Sequence, residues 1–400
     1  MNKKKITIIL MVFLAIFSTI MLVVNKDNVE ITNEVGNKSK KSNNLLTMNL
    51  EQTAGAGDYK TVTQSEWPTE GYKFNTELSR CENGSELSWD DVNKKILMSG
   101  VSADKCYVYF DIARFDKLCN TSTLACHVAK LYTGTQGENG IYYHNTSLTN
   151  GAGDNNYRYA GANPNNYICL GSDATTCPDD NLFRIIGVFG DKVKVIKDKS
   201  VVKMHWDTSN YNTWSISSLN TYLNGTYLTS IGTLSDKIDV ATWKVGGNTW
   251  DNISVSTAKE VYDYEIKNPS TTASTGETEY SAKIGLMYVS DYMFAVLQDN
   301  WTLVAYNSND TTKDYRAVKA ENWLYLGSDE YTITRSSKNS GEVFAIYSSG
   351  EVYSYSVSCN SDEPLPCMAY KKYARPSFYL ISSVEYSGGT GTSSDPIRIN

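Results

Sequence analysis

Three histidines, His127, His144 and His205, are all the chain offers for imidazole chemistry. A Ser/His/Asp hydrolase needs one of them as general base. His205, in Lys203-Met204-His205-Trp206-Asp207, is the best placed, but no Gly-x-Ser-x-Gly elbow accompanies it. His144 lies in Tyr142-Tyr143-His144-Asn145, which reads as an exposed turn. His127 falls on the polar face of a helical stretch, where water is expected to solvate it. The acid pairs Asp179-Asp180 and Asp329-Glu330 flank turns, whereas a glycosidase pair needs a cleft and one raised pKa. No phosphate-binding loop or dinucleotide fingerprint is present. The residues therefore predict no catalytic centre and no cofactor.

Eight cysteines carry the other reactive groups. Their spacing predicts four disulfides: Cys81–Cys106, Cys119–Cys126, Cys169–Cys177 and Cys359–Cys367. On one continuous helix Cys119 and Cys126 would lie about 10 Å apart, too far to bridge. Asn120-Thr121-Ser122-Thr123 between them supplies a break and an N-cap, so the bridge implies a corner. No Cys-x-x-Cys occurs, and zinc needs four ligands at tighter spacing, so no metal site is expected.

Binding is the remaining chemistry. The chain has 29 tyrosines with abundant Asn, Ser, Thr and Gly, a composition that favours strands, turns and adaptable contact surfaces. Trp323, Tyr331, Tyr353 and Tyr355 are the candidate ligand-binding residues, acting by stacking and hydrogen bonding from disulfide-held loops. A net charge of −7 argues against nucleic acid, which selects a basic face.

The elements that would position these residues follow from the pattern. After Met1-Asn2-Lys3-Lys4-Lys5, residues 6–24 form an uncharged run of roughly 28 Å as a helix, about the thickness of a bilayer core. Its far end lacks a small-x-small cleavage site, so residues 1–25 are expected to be an uncleaved anchor with the lysines inside. The ectodomain would then lie outside the cell membrane, where thiols oxidise. Residues 26–50 read as a flexible stalk and 51–113 as a small β-sandwich, with Trp89 against the Cys81–Cys106 bridge. Residues 114–140 read as a helical connector, capped by Thr123 and buried through Leu124, Ala125, Val128, Leu131 and Tyr132.

Residues 141–400 form the main domain. Leu182–Phe189 and Lys192–Ile196 predict a hairpin turned by Gly190-Asp191, and Glu342–Tyr347 with Glu351–Tyr355 a second. Trp214 to Leu223 predicts a short helix ended by Asn224-Gly225. Residues 283–287, 323–326, 331–334 and 374–380 are strand candidates. The last carries Pro376 near its start, which places it at an edge or bulge. Gly388 to Thr392 is a turn feeding a last edge strand. The fold class expected is α+β and strand-rich.

This order of elements, with Trp243-Lys244-Val245-Gly246-Gly247, Lys283-Ile284-Gly285-Leu286-Met287, Leu326-Gly327-Ser328, Ser349-Gly350-Glu351-Val352, Ala374-Arg375-Pro376 and the stretch 157–167, resembles uncharacterised surface proteins of low-GC Gram-positive bacteria. Their C-terminal domain is similar to the C-type-lectin-like fold of formylglycine-generating enzymes and receptor-binding proteins. The resemblance covers roughly 140–390 and implies a lectin-like domain there. The family's calcium motif is not matched: Glu363-Pro364-Leu365 lacks its asparagine, and Trp250-Asp251-Asn252 precedes it. Cys359 and Cys367 are spaced more loosely than the copper-binding pair of the formylglycine-generating enzymes. The expectation is a non-enzymatic, membrane-anchored protein for extracellular recognition or adhesion, its partner a glycan, a host protein or the cell wall. The alternatives are an extracellular enzyme on the same scaffold or a structural envelope component.

Overall fold

The computed structural model describes residues 29–31, 45–52, 57–63, 72–90, 93, 95–101, 103–119, 122–269, 277–358 and 371–399. No helix among them is long and apolar enough to cross a membrane. The anchor expected over 1–25 lies outside the described residues, as do Cys359 and Cys367. The chain is α+β and strand-rich. It divides into two compact units, Met1–Leu118 and Cys119–Asn400.

The first unit holds β1 (Val29–Ile31), β2 (Leu45–Glu51), β3 (Tyr59–Val62), β4 (Tyr72–Phe74), β5 (Arg80–Cys81), β6 (Glu86–Asp90), β7 (Lys95–Ser99) and β8 (Lys105–Ile112). One sheet runs β3-β2-β8-β4, with β5 also on β8; the other runs β1-β7-β6. Both contribute to one core: Met48, Leu50, Phe74, Val108 and Phe110 from the first, Ile96, Leu87 and Trp89 from the second. The stretch expected as a stalk over 26–50 thus contains two strands. Leu46, Met48 and Leu50 alternate with Thr47, Asn49 and Glu51, the period-two signature of a strand with one face inward. Glu51 is buried because its carboxylate accepts the N–H groups of Gly57 and Ile112. Cys81 and Cys106 are bridged directly across the β5–β8 pair. Trp89 meets Phe110 edge-on, 5.0 Å between ring centroids.

The second unit opens with α1 (Leu124–Lys130), where the Thr123 hydroxyl accepts the N–H of Cys126. Leu124, Ala125, Cys126, Val128 and Ala129 are all buried, so this helix is part of the unit's core. The Cys119–Cys126 disulfide ties its first turn to the preceding corner. Then come β9 (Ile141–Tyr143), β10 (Tyr157–Tyr159), β11 (Tyr167–Cys169), β12 (Leu182–Phe189), β13 (Lys192–Lys197), β14 (Val202–Met204), α2 (Ser218–Tyr222), β15 (Ala241–Lys244), β16 (Gly247–Asn248), α3 (Ala258–Tyr262), β17 (Glu279–Ala282), β18 (Ile284–Gly285) and α4 (Val289–Phe294). The chain ends with β19 (Glu330–Ser336), β20 (Glu342–Ile346), β21 (Val352–Ser356), β22 (Lys372–Ala374), β23 (Ser377–Tyr379), β24 (Tyr386–Gly388) and β25 (Arg398–Ile399).

Two sheets dominate: β18-β23-β13-β12-β10-β9 with β11 on β12, and β14-β22-β19-β20-β21 with β16 on β19. Both hairpins form as expected, β12–β13 and β20–β21. The interior of β12 is buried on both faces, Arg184 included, within an otherwise apolar run. A bulge at Ile186 brings Gly187 against β10, where a Cβ would lie 2.0 Å from the Tyr157 carbonyl oxygen; only glycine fits. The Cys169–Cys177 disulfide closes the loop after β11.

Three local expectations change. The late strand is two strands: β22 belongs to one sheet and β23 to the other, with Arg375-Pro376 as the crossing point. Residues 323–326 form a turn, because the Asn322 side chain accepts the N–H of Leu324 while donating to the Tyr292 carbonyl. Gly225 does not end the helix begun at Ser218, which continues through wide turns to Ser230. Asn224 holds it by pairing its carboxamide with both backbone groups of Ile284, standing in for a neighbouring strand.

Candidate binding pocket

The four aromatics expected to meet a ligand separate into two pairs. Trp323 and Tyr331 are core residues, 4% and 1% exposed, and Trp323 donates its indole N–H to the Tyr159 carbonyl. Neither presents a face to a ligand. Tyr353 and Tyr355 lie on the edge strand β21 in a ladder of edge-to-face rings, Tyr306–Tyr353–Tyr347–Tyr355. The Lys372 ammonium sits 3.9 Å from the Tyr355 ring centroid and bridges to Asp329.

Two of the histidines, His144 and His127, are placed differently from expectation. His144 is fully buried, not in an exposed turn. Its Nδ1 accepts the N–H of Ala152, and burial drives its pKa well below the usual imidazole value. Among the described residues no hydrogen-bond partner reaches its Nε2, and the imidazole ring contacts Phe294 and Trp301. His127 is half-buried, stacked flat on Tyr386 at 3.5 Å. His205 is half-buried beside Lys371, and burial lowers its pKa. The Cys81, Asp104 and Cys106 cluster is no thiolate site: both sulfurs are in a disulfide, and Asp104 accepts the N–H groups of Asn83, Ser85 and Lys105.

A different part of the second unit gathers the charges. A cavity of about 120 Å³ is lined by Arg158 of β10, Phe189 at the end of β12, Lys194 of β13, Tyr262 of α3, Tyr288 and Asp291 at the start of α4, and Tyr379 of β23, with Asp154 in the loop before β10. Four backbone segments from one sheet and two short helices thus converge on it.

Two ion pairs form its polar wall. Arg158 donates to both oxygens of Asp154, at 2.9 and 2.6 Å, and the Tyr262 hydroxyl donates to Asp154 Oδ2 at 2.9 Å. Lys194 Nζ lies 2.5 Å from Asp291 Oδ2, which also accepts the N–H of Tyr288 at 2.8 Å. The rings of Phe189, Tyr262 and Phe294 surround the guanidinium at 4.8–5.4 Å. Burial alone would push the Asp154 carboxyl up, but the Arg158 charge and its hydrogen bonds prevail and hold it well below the usual range. Burial drags the Lys194 ammonium down, and Asp291 only partly restores it. The Tyr262 and Tyr379 phenols are pushed up by burial and stay protonated.

Behind this wall lies Glu265, which accepts the N–H groups of Val289 and Ser290 and the Thr334 hydroxyl, clamping the first turn of α4. Burial raises its carboxyl to about 7 against those hydrogen bonds.

Chemically, the cavity offers an ionised carboxylate that accepts, a guanidinium that donates, phenol hydroxyls that do both, and ring faces for apolar contact. Its two anions and two cations cancel, so it presents no net charge to a ligand. Sequence reasoning missed these residues because Arg158 in Tyr157-Arg158-Tyr159 and Lys194 in Val193-Lys194-Val195 read as the solvent-facing positions of their strands. Polar segments border both strands, Asp154-Asn155-Asn156 before the first and Asp198-Lys199-Ser200 after the second, so no local signal marks either as covered on both faces.

No protein-family model, no curated protein and no solved structure matches the chain.

Proposed function

We propose that this chain is an extracytoplasmic recognition protein, held to the membrane by its N-terminal apolar run, whose second unit binds a saccharide-type ligand in the cavity at Asp154 and Arg158. The observation that carries this reading is the cavity's lining: tyrosine rings around a buried, ionised carboxylate–guanidinium pair. A sugar ring has an apolar C–H face and a rim of hydroxyls. Tyr262, Tyr288 and Tyr379 suit the face, and Asp154 and Arg158 suit the rim. At about 120 Å³ the cavity is smaller than the roughly 150 Å³ that encloses a benzene-sized ring, so it receives one edge of a sugar and leaves the rest outside. The occupant this reading takes is a terminal residue of a glycan with its hydroxyl rim inserted.

Three disulfides among the described residues support an oxidising compartment. The two-sheet second unit, with its β12–β13 hairpin and helix after residue 213, is what we assign to the C-type-lectin-like fold. Recognition here needs no metal, because both anions already have cationic partners. The reading is adhesion rather than turnover because both carboxylates lining the cavity are paired with cations and neither is left to donate a proton.

A screen of the detergent-solubilised full chain against glycans, isolated cell wall and host proteins tests this. Binding to a glycan is expected, and Tyr379→Ala should weaken it by about tenfold through loss of one stacking face. Binding only to proteins, or glycan binding untouched by Tyr379→Ala, would overturn it.

A further inference from the structure

We propose that Lys194 and Asp291 condense into an intramolecular amide that staples β13 to the start of α4. The two residues are 97 apart in sequence, and their side chains meet with 1% and 5% exposure. The otherwise similar Lys372–Asp329 bridge leaves its carboxylate 27% exposed. The Lys194 ammonium faces rings rather than water: Tyr288 at 4.5 Å, Trp243 at 5.5 Å, Tyr379 at 5.6 Å and Phe189 at 5.7 Å. A buried ion pair in such surroundings gains little over its desolvation cost. Moving one proton from the ammonium to the carboxylate gives a neutral amine against a neutral carboxylic acid, the pair that condenses.

Burial and the nearby Arg158 both push Lys194 toward the neutral amine. The electrophile is held equally firmly. Glu265 clamps the N–H groups of Val289 and Ser290, and the N–H of Tyr288 points at Asp291 Oδ2.

The step balances without oxidant or cofactor. Nζ of the neutral amine adds to Cγ of Asp291. Negative charge develops on Oδ2, where the Tyr288 N–H already donates. Oδ1 leaves as water, taking the acid's proton and one proton from nitrogen. One C–N bond forms, one C–O bond breaks, and Oδ2 remains as the amide oxygen on the same donor. The product removes both buried charges from the cavity wall. It leaves the Asp154–Arg158 pair untouched, so this inference does not depend on what the cavity binds.

The experiment is peptide mapping of the full chain after reduction, alkylation and trypsin digestion. The expected result is one branched peptide joining the Lys194 and Asp291 segments, lighter than the two linear peptides by one water, with no cleavage after residue 194. Lys194→Arg should lack it. Should that variant fail to fold, the native chain decides alone. Linear peptides ending at Lys194, together with an unmodified Asp291 peptide, would overturn the proposal.

Discussion

Arg158→Ala is expected to destabilise the second unit by about 3–5 kcal/mol, the cost of removing one partner from a buried pair. Arg158 is 3% exposed, grips both oxygens of Asp154, and is surrounded by Phe189, Tyr262 and Phe294. Truncation leaves the Asp154 carboxylate with neutral donors alone, the Tyr262 hydroxyl and the Asn156 N–H, and opens a void between three rings. Equilibrium denaturation of the variant reads the loss directly. Replacing both partners, Arg158→Met with Asp154→Leu, should cost much less, because no charge is then left buried alone. The pH dependence has a definite sign. The folded pKa of Asp154 lies below its unfolded value, so its contribution is present above about pH 4 and drains away as pH falls through the folded value. Arg158→Ala should remove that acid-side loss. A single variant as stable as the native chain would show that the pair does not hold the pocket.

The second large effect comes from Glu265. Burial lifts its carboxyl from 4.5 to about 7, so between those values the folded chain keeps a proton that the unfolded chain has released. Stability should therefore fall as pH rises across that window, by roughly 3 kcal/mol in all, and level off above pH 7. Denaturation midpoints measured from pH 4.5 to 8 give the slope. Glu265→Gln, which removes the titrating proton and keeps an acceptor for only one of the Val289 and Ser290 N–H groups, should flatten the slope while lowering stability overall. An unchanged slope in that variant would assign the pH dependence to another group.

Much of the scaffold was legible in the sequence where a local signal and the tertiary context agree. Gly190-Asp191 and Ser348-Ser349-Gly350 sit between apolar runs and turn the two hairpins. Thr123 caps α1, and Cys119 with Cys126 bridges the corner before it. The signal failed where a side chain replaces the backbone. Asn322 turns the chain at Trp323, and Asn224 carries a helix past Gly225. The strands within 26–50 were hidden by polar composition, although Leu46, Met48 and Leu50 already alternate.

The candidate site was the least legible part. Of the four aromatics chosen from the sequence, Trp323 and Tyr331 fill the core and only Tyr353 and Tyr355 reach the surface. The pocket residues come from segments spread between Asp154 and Tyr379, and burial of Arg158 and Lys194 depends on which strands flank them. A charged residue in an alternating strand has the same pattern whether its face meets water or a second layer. The contacts of Tyr262 from α3 with Arg158 and of Asp291 from α4 with Lys194 decide between the two.

The most direct test is a crystal structure of the chain with the tightest saccharide from the screen. One sugar residue is expected at the cavity mouth, its hydroxyls on Asp154 and Arg158 and its face against Tyr262 or Tyr379. A sugar lying along Tyr353 and Tyr355 with the cavity empty would contradict it.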